Sequence, residues 1–294
     1  MRLRDLAQLV RLPAALTVPG DTLAGAASAG WPLGRRTAAL PVASVCLYWA
    51  GMALNDYADR DLDAVERPER PIPSGRVTPR QALAIAGGLT AAGLAVAAAA
   101  GGRRAVRVAA PLAATVWAYD LALKQTRFGP AAMATARGLD VLLGAGGSRS
   151  AALPAAAVAG HIAGVTALSR GEVHGTSRRT AAAALGATAG AAALAAVPLL
   201  RDHEGFVARS GNDRFVIIGG VLAGAYAVTV GRAQAAAVSR PDAPTVRSAT
   251  GAGIRGLIPL QAALTARAGA AGLAGALLAA GPVAKLASKV VSPT

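Results

Sequence analysis

The chain has 294 residues, of which 15% are charged and 54% hydrophobic, and its mean hydropathy is +0.45. Soluble domains carry about 25% charged residues, so composition excludes an ordinary water-soluble globule and points to an all-α, polytopic membrane protein. The net charge of +15 does not indicate nucleic acid, because Lys and Arg are scattered between apolar stretches and aromatics amount to 3%, too few for a base-stacking platform. Anionic membrane lipids and an anionic lipid substrate account for that charge better. The lone Cys46 excludes an internal disulfide and a cysteine-based metal centre.

Uncharged runs long enough to cross the hydrocarbon core recur at 37–54, 81–102, 150–169, 180–200, 215–231 and 268–284. With the Gly and Pro breakers between them, they predict nine helices in one domain over 1–294: 5–29, 36–58, 79–101, 104–123, 129–147, 151–171, 179–200, 214–237 and 256–281. Arg2, Arg4 and Asp5 are not followed by the apolar core and cleavage site of a signal peptide, so the first helix is expected to be retained. Abundant Gly and Ala suit closely packed membrane helices. Most Lys and Arg fall in the N-terminus and in the loops after the second, fourth, sixth and eighth helices. The positive-inside rule therefore puts those segments on the cytoplasmic side of a cell membrane.

The acidic residues are distributed unevenly. Of fifteen, five lie between Asp56 and Glu66. Asn55, Asp59 and Asp63 are four apart on a helix, with Asp56 beside them, and are expected to share a face. Clustered carboxylates repel unless a cation stands between them. Oxygen-only ligands suit a hard ion such as Mg²⁺, which commonly joins carboxylates to a substrate's phosphates. The segment reads as a metal-diphosphate site at a membrane face.

Asn55, Asp56, Asp59 and Asp63 spell N-D-x-x-D-x-x-x-D, and Arg67, Arg70, Pro71, Ile72, Pro73, Ser74 and Gly75 follow as R-x-x-R-P-I-P-S-G. This run resembles the first aspartate-rich motif of the UbiA superfamily of intramembrane prenyltransferases, and nine helices is that family's architecture. The resemblance implies Mg²⁺-dependent transfer of a prenyl group from its diphosphate to an acceptor. Asn55, Asp56, Asp59 and Asp63 would hold the metal, and Arg67 or Arg70 would clamp the diphosphate. Lys124 would be a further clamp.

The family's second aspartate-rich motif is missing. Its place reads SRGEVHG, where Glu172 is the sole acid, flanked by Arg170, His174, Arg178 and Arg179. Glu172 is expected as a second metal ligand, or Arg170 and Arg178 as charge-neutralising substitutes. SRGEVHG itself resembles the form found in the branch of the superfamily encoded with ebo-type bacterial gene clusters. Arg137 and Asp140, three apart at membrane depth, are expected either to pair or to recognise acceptor or diphosphate. Asp21 has no local partner, and either orients the acceptor, serves as a base or bridges to another helix. His161 is expected to bond between helices, and His203 and Trp31 to lie outside the chemistry; Trp49 either lines the cavity or faces lipid. Two rival readings remain beside the transferase: a non-catalytic isoprenoid-binding or transport protein, and a terpene cyclase.

Overall fold

The computed structural model describes residues 2–12, 19–30, 37–196 and 213–280. Among these residues there are eleven α-helices and no strand: α1 Leu3–Leu9, α2 Gly20–Ser28, α3 Leu40–Ala58, α4 Arg60–Glu66, α5 Pro79–Ala118, α6 Gly129–Gly144, α7 Ala152–Ser169, α8 Arg178–Ala196, α9 Asp213–Ser239, α10 Ala243–Arg267 and α11 Ala271–Ala280. The expected second, fifth, sixth and eighth helices correspond to α3, α6, α7 and α9. Sequence neighbours pack together around the bundle (α5 on α3 and α6, α7 on α6 and α8, α9 on α8 and α10), and α10 and α2 close the ring by packing on each other and on α7.

Local chemistry fixes the long α5. Thr78 caps it with a reciprocal box: Gln81 N–H donates to Thr78 Oγ1 at 3.2 Å, and Thr78 N–H donates to Gln81 Oε1 at 2.9 Å. Pro79 opens the first turn. Together with the π-helical turn that follows, α5 belongs to an apolar stretch of 45 residues, Pro79–Leu123, roughly 68 Å at 1.5 Å per residue and twice a bilayer core. It is divided at Gly102, whose φ of 59° and ψ of −152° interrupt the helix. The two expected helices 79–101 and 104–123 are therefore both present, joined at a glycine kink. Arg149–Ser169 and Arg214–Ser239 are also long and apolar enough to cross a membrane. The other helices are either shorter or carry more polar and charged residues along their length.

Two boundaries differ from expectation. The expected 5–29 helix is two helices, α1 and α2, with residues 13–18 outside the described ones. The expected 256–281 helix starts thirteen residues earlier, at Ala243, where Asp242 caps α10 by accepting the Thr245 N–H at 2.9 Å. Arg247 and Arg255 made this stretch read as a loop, but both lie on its exposed side. It ends before Gly269, whose φ is 88°, so 271–280 is a separate helix. The expected ends 197–200 and 281, and position 36, lie outside the described residues.

The cores are built of small side chains. Between α3 and α5 they include Ala43, Leu47, Ala97, Ala109 and Leu112; among α7, α8, α9 and α10, Val158, Ala191, Tyr226, Val230 and Leu260. Small residues let backbones touch, most closely where α2 crosses α6. A Cβ on Gly144 would overlap the backbone of Thr22, and one on Gly25 the carbonyl of Val141. Gly144→Ala is expected to destabilise the bundle by about 1–3 kcal/mol. Gly190→Ala in α8, where a Cβ meets nothing within 4 Å, should be neutral or stabilising. Thermal melting of the detergent-solubilised protein checks both.

Candidate functional site

The last turn of α3 carries Asn55 and Asp56, and α3 ends as Asp59 leaves helical geometry (φ −92°, ψ 4°). Bonds from Asp59 N–H to Asn55 O (2.9 Å) and from Asp63 N–H to Asp59 O (2.8 Å) carry the helical pattern across the joint into α4. The four side chains divide differently from the expected single face. Asp56 and Asp63 turn to one side, Asn55 and Asp59 to another. Seven residues bring a helix round to within about 20°, whereas eight leave about 80°. Asp63 therefore lines up with Asp56 better than with Asn55.

Arg70 Nη1 touches both carboxylates of the first pair: it bonds Asp63 Oδ2 closely and lies 3.5 Å from Asp56 Oδ1. The turn that supplies it is anchored by buried Ile72 and Val77 and closed at Gly75, with φ 73°. Arg11 Nη2 lies 3.1 Å from the same Asp56 Oδ1. Arg11 ends the short α1 with φ 50°, a left-handed backbone in a residue with a Cβ. Such strain costs on the order of 1–3 kcal/mol and is concentrated at functional sites. The cost is offset by docking of α1: Arg76 bonds Asp5 Oδ1 at 3.1 Å, Gln8 Oε1 at 2.5 Å and the Glu69 carbonyl at 2.6 Å. The Arg2 backbone amide, helped by the Arg76 guanidinium and against the opposing effect of burial, holds the Asp5 carboxyl below the ordinary carboxylate range.

The second pair meets the end of α5. Residues Tyr119–Leu123 form a π-helical turn, with Lys124 N–H reaching back five residues to Tyr119 O. The slip sets two rungs against α3. Asn55 Nδ2 donates to Asp120 Oδ1 at 3.1 Å, and Lys124 Nζ lies 2.6 Å from Asp59 Oδ1. A π turn is rare and recurs at functional positions.

This network borders a cavity of about 250 Å³: Arg11, Asn55 and Asp120 line it, and Asp56, Asp59, Asp63, Arg70 and Lys124 stand behind them in the same chain of contacts. Arg11, Asn55, Tyr119 and Asp120 line the mouth, Leu47, Met52, Leu112, Val116 and Met133 the apolar middle, and Ser44, Arg137 and Asp140 the far end. Arg137 and Asp140 do not pair with each other. Arg137 Nε lies 2.7 Å from Asp21 Oδ2, an ion pair not aligned as a hydrogen bond, and Asp140 Oδ2 accepts from Ser44 Oγ at 2.9 Å. The reason is α2, pressed onto α6 by Gly25 and Gly144, which brings a carboxylate close to Arg137.

Several expected residues do not join this site. Arg67 is exposed. Arg170 Nη2 bonds the carbonyls of Lys124 (3.1 Å) and Thr126, bracing the loop that carries Lys124. Glu172 contributes its carbonyl to Arg247, at 3.0 Å, and Arg178 is exposed at the start of α8. His161 Nε2 donates to the Gly253 carbonyl (3.0 Å) and Nδ1 accepts from the Tyr226 hydroxyl (2.8 Å), leaving neither nitrogen for chemistry. Trp49 is not among the cavity residues, and Trp31 and His203 lie outside the described residues. Arg11, Ser44 and Tyr48 are cavity residues that the sequence did not single out.

Among the described residues no three carboxylate, imidazole or thiol groups converge as a closed metal cage. The donors nevertheless suit a hard cation: they are all oxygens, and one cationic nitrogen, Arg70 Nη1, already bridges Asp56 and Asp63.

Fold and site thus define a helical membrane bundle with a charged, carboxylate-rich mouth over an apolar cavity. The UbiA prenyltransferase family model matches residues 15–240, and the chain belongs to that family. It is 46% identical over 83 residues to the digeranylgeranylglyceryl phosphate synthase of Natronomonas pharaonis, covering 28% of this chain and 30% of that one. It is 40% identical over 109 residues to the Methanopyrus kandleri protein of the same name, covering 37% and 38%. The matched stretch thus spans about a third of each of these relatives (30% and 38%). A solved structure concerning digeranylgeranylglyceryl phosphate synthase in membranes shares the fold with a TM-score of 0.70 at 16% identity, covering 90% of this chain and 98% of that one. A UbiA homologue from Archaeoglobus fulgidus bound to GPP and Mg²⁺ shares it with a TM-score of 0.63 at 15% identity, covering 88% and 99%.

Arg11→Gly separates the two roles of that residue. It relieves the left-handed strain while removing one of the two cations on Asp56, two opposing effects, so the melting temperature should change little. Loss of a charge-assisted contact worth about 1.5–3 kcal/mol should weaken binding of pyrophosphate with Mg²⁺ by roughly tenfold or more, read by calorimetry.

Proposed function

We propose that this protein transfers a prenyl group from a prenyl diphosphate to an acceptor within the membrane, with Mg²⁺ required. The observation that carries the reading is a cationic and carboxylate network bordering an apolar cavity: Asp56, Asp59 and Asp63 come from the α3–α4 joint, and Arg11, Arg70 and Lys124 reach them from three other segments. A prenyl diphosphate has the same division, a strongly anionic head on an apolar tail.

The difficult step is breaking the C1–O bond, with the electron pair leaving on the diphosphate and an allylic cation remaining at C1. Arg11, Arg70 and Lys124 are placed to exchange their carboxylate contacts for diphosphate oxygens, where their positive charge favours departure of the leaving group. Asn55, Asp56, Asp59 and Asp63 would hold Mg²⁺, which when bound takes up charge on the departing diphosphate. Leu47, Met52, Leu112, Val116 and Met133 keep water from the cation, and the rings of Tyr48 and Tyr119 line the same space. The acceptor nucleophile then closes the new bond at C1. The names of the relatives, synthases of a prenylated glyceryl phosphate, support an acceptor of that chemistry. The surplus of Lys and Arg on the carboxylate side supports a cytoplasmic mouth.

Purified protein in lipid nanodiscs, with Mg²⁺, geranyl diphosphate and either cell extract or a prenylated glyceryl phosphate, should release pyrophosphate and yield a prenylated product. Asp56→Asn and Asp59→Asn should each lower the rate by about 100-fold or more, in line with the loss of one preorganised electrostatic group, and chelating the metal should abolish it. Full Mg²⁺-dependent turnover in both variants would refute the assignment. Release without any acceptor would replace transfer by cyclisation or hydrolysis, and binding without release would make the protein a non-catalytic isoprenoid carrier.

A further inference from the structure

The cavity has charge at both ends. Its far end is a buried layer in which Asp21 Oδ1 accepts from Gln261 Nε2 at 2.6 Å, Asp21 Oδ2 faces Arg137 Nε at 2.7 Å, and Asp140 accepts from Ser44. Asp21, Gln261, Ser44 and Asp140 are all less than a tenth exposed. Four helices, α2, α3, α6 and α10, meet in this layer. Ionisable groups at membrane depth are costly and are found where they serve a substrate path.

Distance decides what the layer can do. Ser44 and Asn55 lie on the same helix eleven residues apart, about 16 Å along its axis. A general base must come within about 3.2 Å of the proton it takes. With C1 of the donor held beside Asn55 and Asp59, Asp140 is out of reach of the reacting atoms and cannot be the base. It stands instead where the tail of the donor would end. An extended chain advances by roughly 1.25 Å per main-chain carbon, so a geranyl tail of about 10 Å fills the apolar middle, a farnesyl tail of about 15 Å reaches the charges, and a geranylgeranyl tail of about 20 Å would have to pass them.

Building on the prenyl-diphosphate reading above, we propose that Ser44, Asp21, Arg137 and Asp140 form a charged floor that sets the length of prenyl donor the cavity accepts, favouring short chains. An apolar tail driven into this layer must separate ion pairs and buried hydrogen bonds without replacing them. Asp140 is the informative position: removing it leaves Asp21 and Arg137 as a balanced pair, so no unpaired charge is created.

The test is kcat/KM for geranyl, farnesyl and geranylgeranyl diphosphate, measured in nanodiscs with the same acceptor source. The wild-type protein should favour geranyl over geranylgeranyl by at least tenfold. In Asp140→Ala the farnesyl-to-geranyl ratio should rise at least tenfold, and in Ser44→Ala, a milder change that keeps every charge, it should rise by a smaller factor in the same direction. A ratio read within each protein is not moved by a mere loss of folded enzyme. Equal use of all three donors by the wild type, or ratios unchanged in both variants, would overturn the floor while leaving the transferase intact. No turnover of any donor would overturn both.

Discussion

Opposite charges drawn from distant parts of the chain hold the mouth of this bundle together. Asp56 accepts from Arg11, 45 residues before it, and from Arg70, 14 after; Asn55 reaches Asp120, 65 residues on. Each bond joins a segment that would otherwise end loosely: the N-terminal helix, the Pro-rich turn, the last turn of α5. In a place partly shielded from water such contacts are far stronger than on a soluble surface. Removing one partner leaves a charge stranded, so the geometry of the mouth is held collectively. The same property suits the mouth to the diphosphate proposed for it: an anion bringing its own countercharge would take over the cations while the carboxylates stay together.

The segment after α7 acts on the mouth from behind. In place of a second acidic cluster it offers Arg170, which bonds two carbonyls of the loop behind Lys124. A backbone clamp of this kind acts on the mouth indirectly, by fixing where Lys124 leaves the π turn. Glu172 is tied to α10 only through its own carbonyl. Charge at the mouth is therefore supplied from the first half of the chain, with the second half acting as a brace.

How much of this was legible depended on whether the signal was local. The acidic cluster stood out because carboxylates are scarce in so apolar a chain, and Thr78-Pro79 and Gly101-Gly102 marked helix boundaries by rules that operate over a few residues. Arg11 gave no signal: its left-handed backbone is carried by an ordinary side chain, and its partner lies far along the sequence. The π turn was equally silent, since an extra residue in a helix looks like any other residue. Arg137 shows the failure most plainly. Its nearest acid along the helix is Asp140, yet a glycine-to-backbone crossing delivers Asp21 from more than a hundred positions away.

Among the described residues, every side chain lining the cavity comes from between Arg11 and Asp140. From the far half, among the described residues, Gln261 alone bonds a residue of the cavity's polar floor, and it does so from behind, through Asp21. The two halves therefore carry different structural constraints. The first must preserve particular atoms, while the second has only to keep its shape, its brace on the Lys124 loop and one amide. Under that asymmetry, substitutions on the outside of the distal half can remodel its surface without displacing a side chain of the cavity.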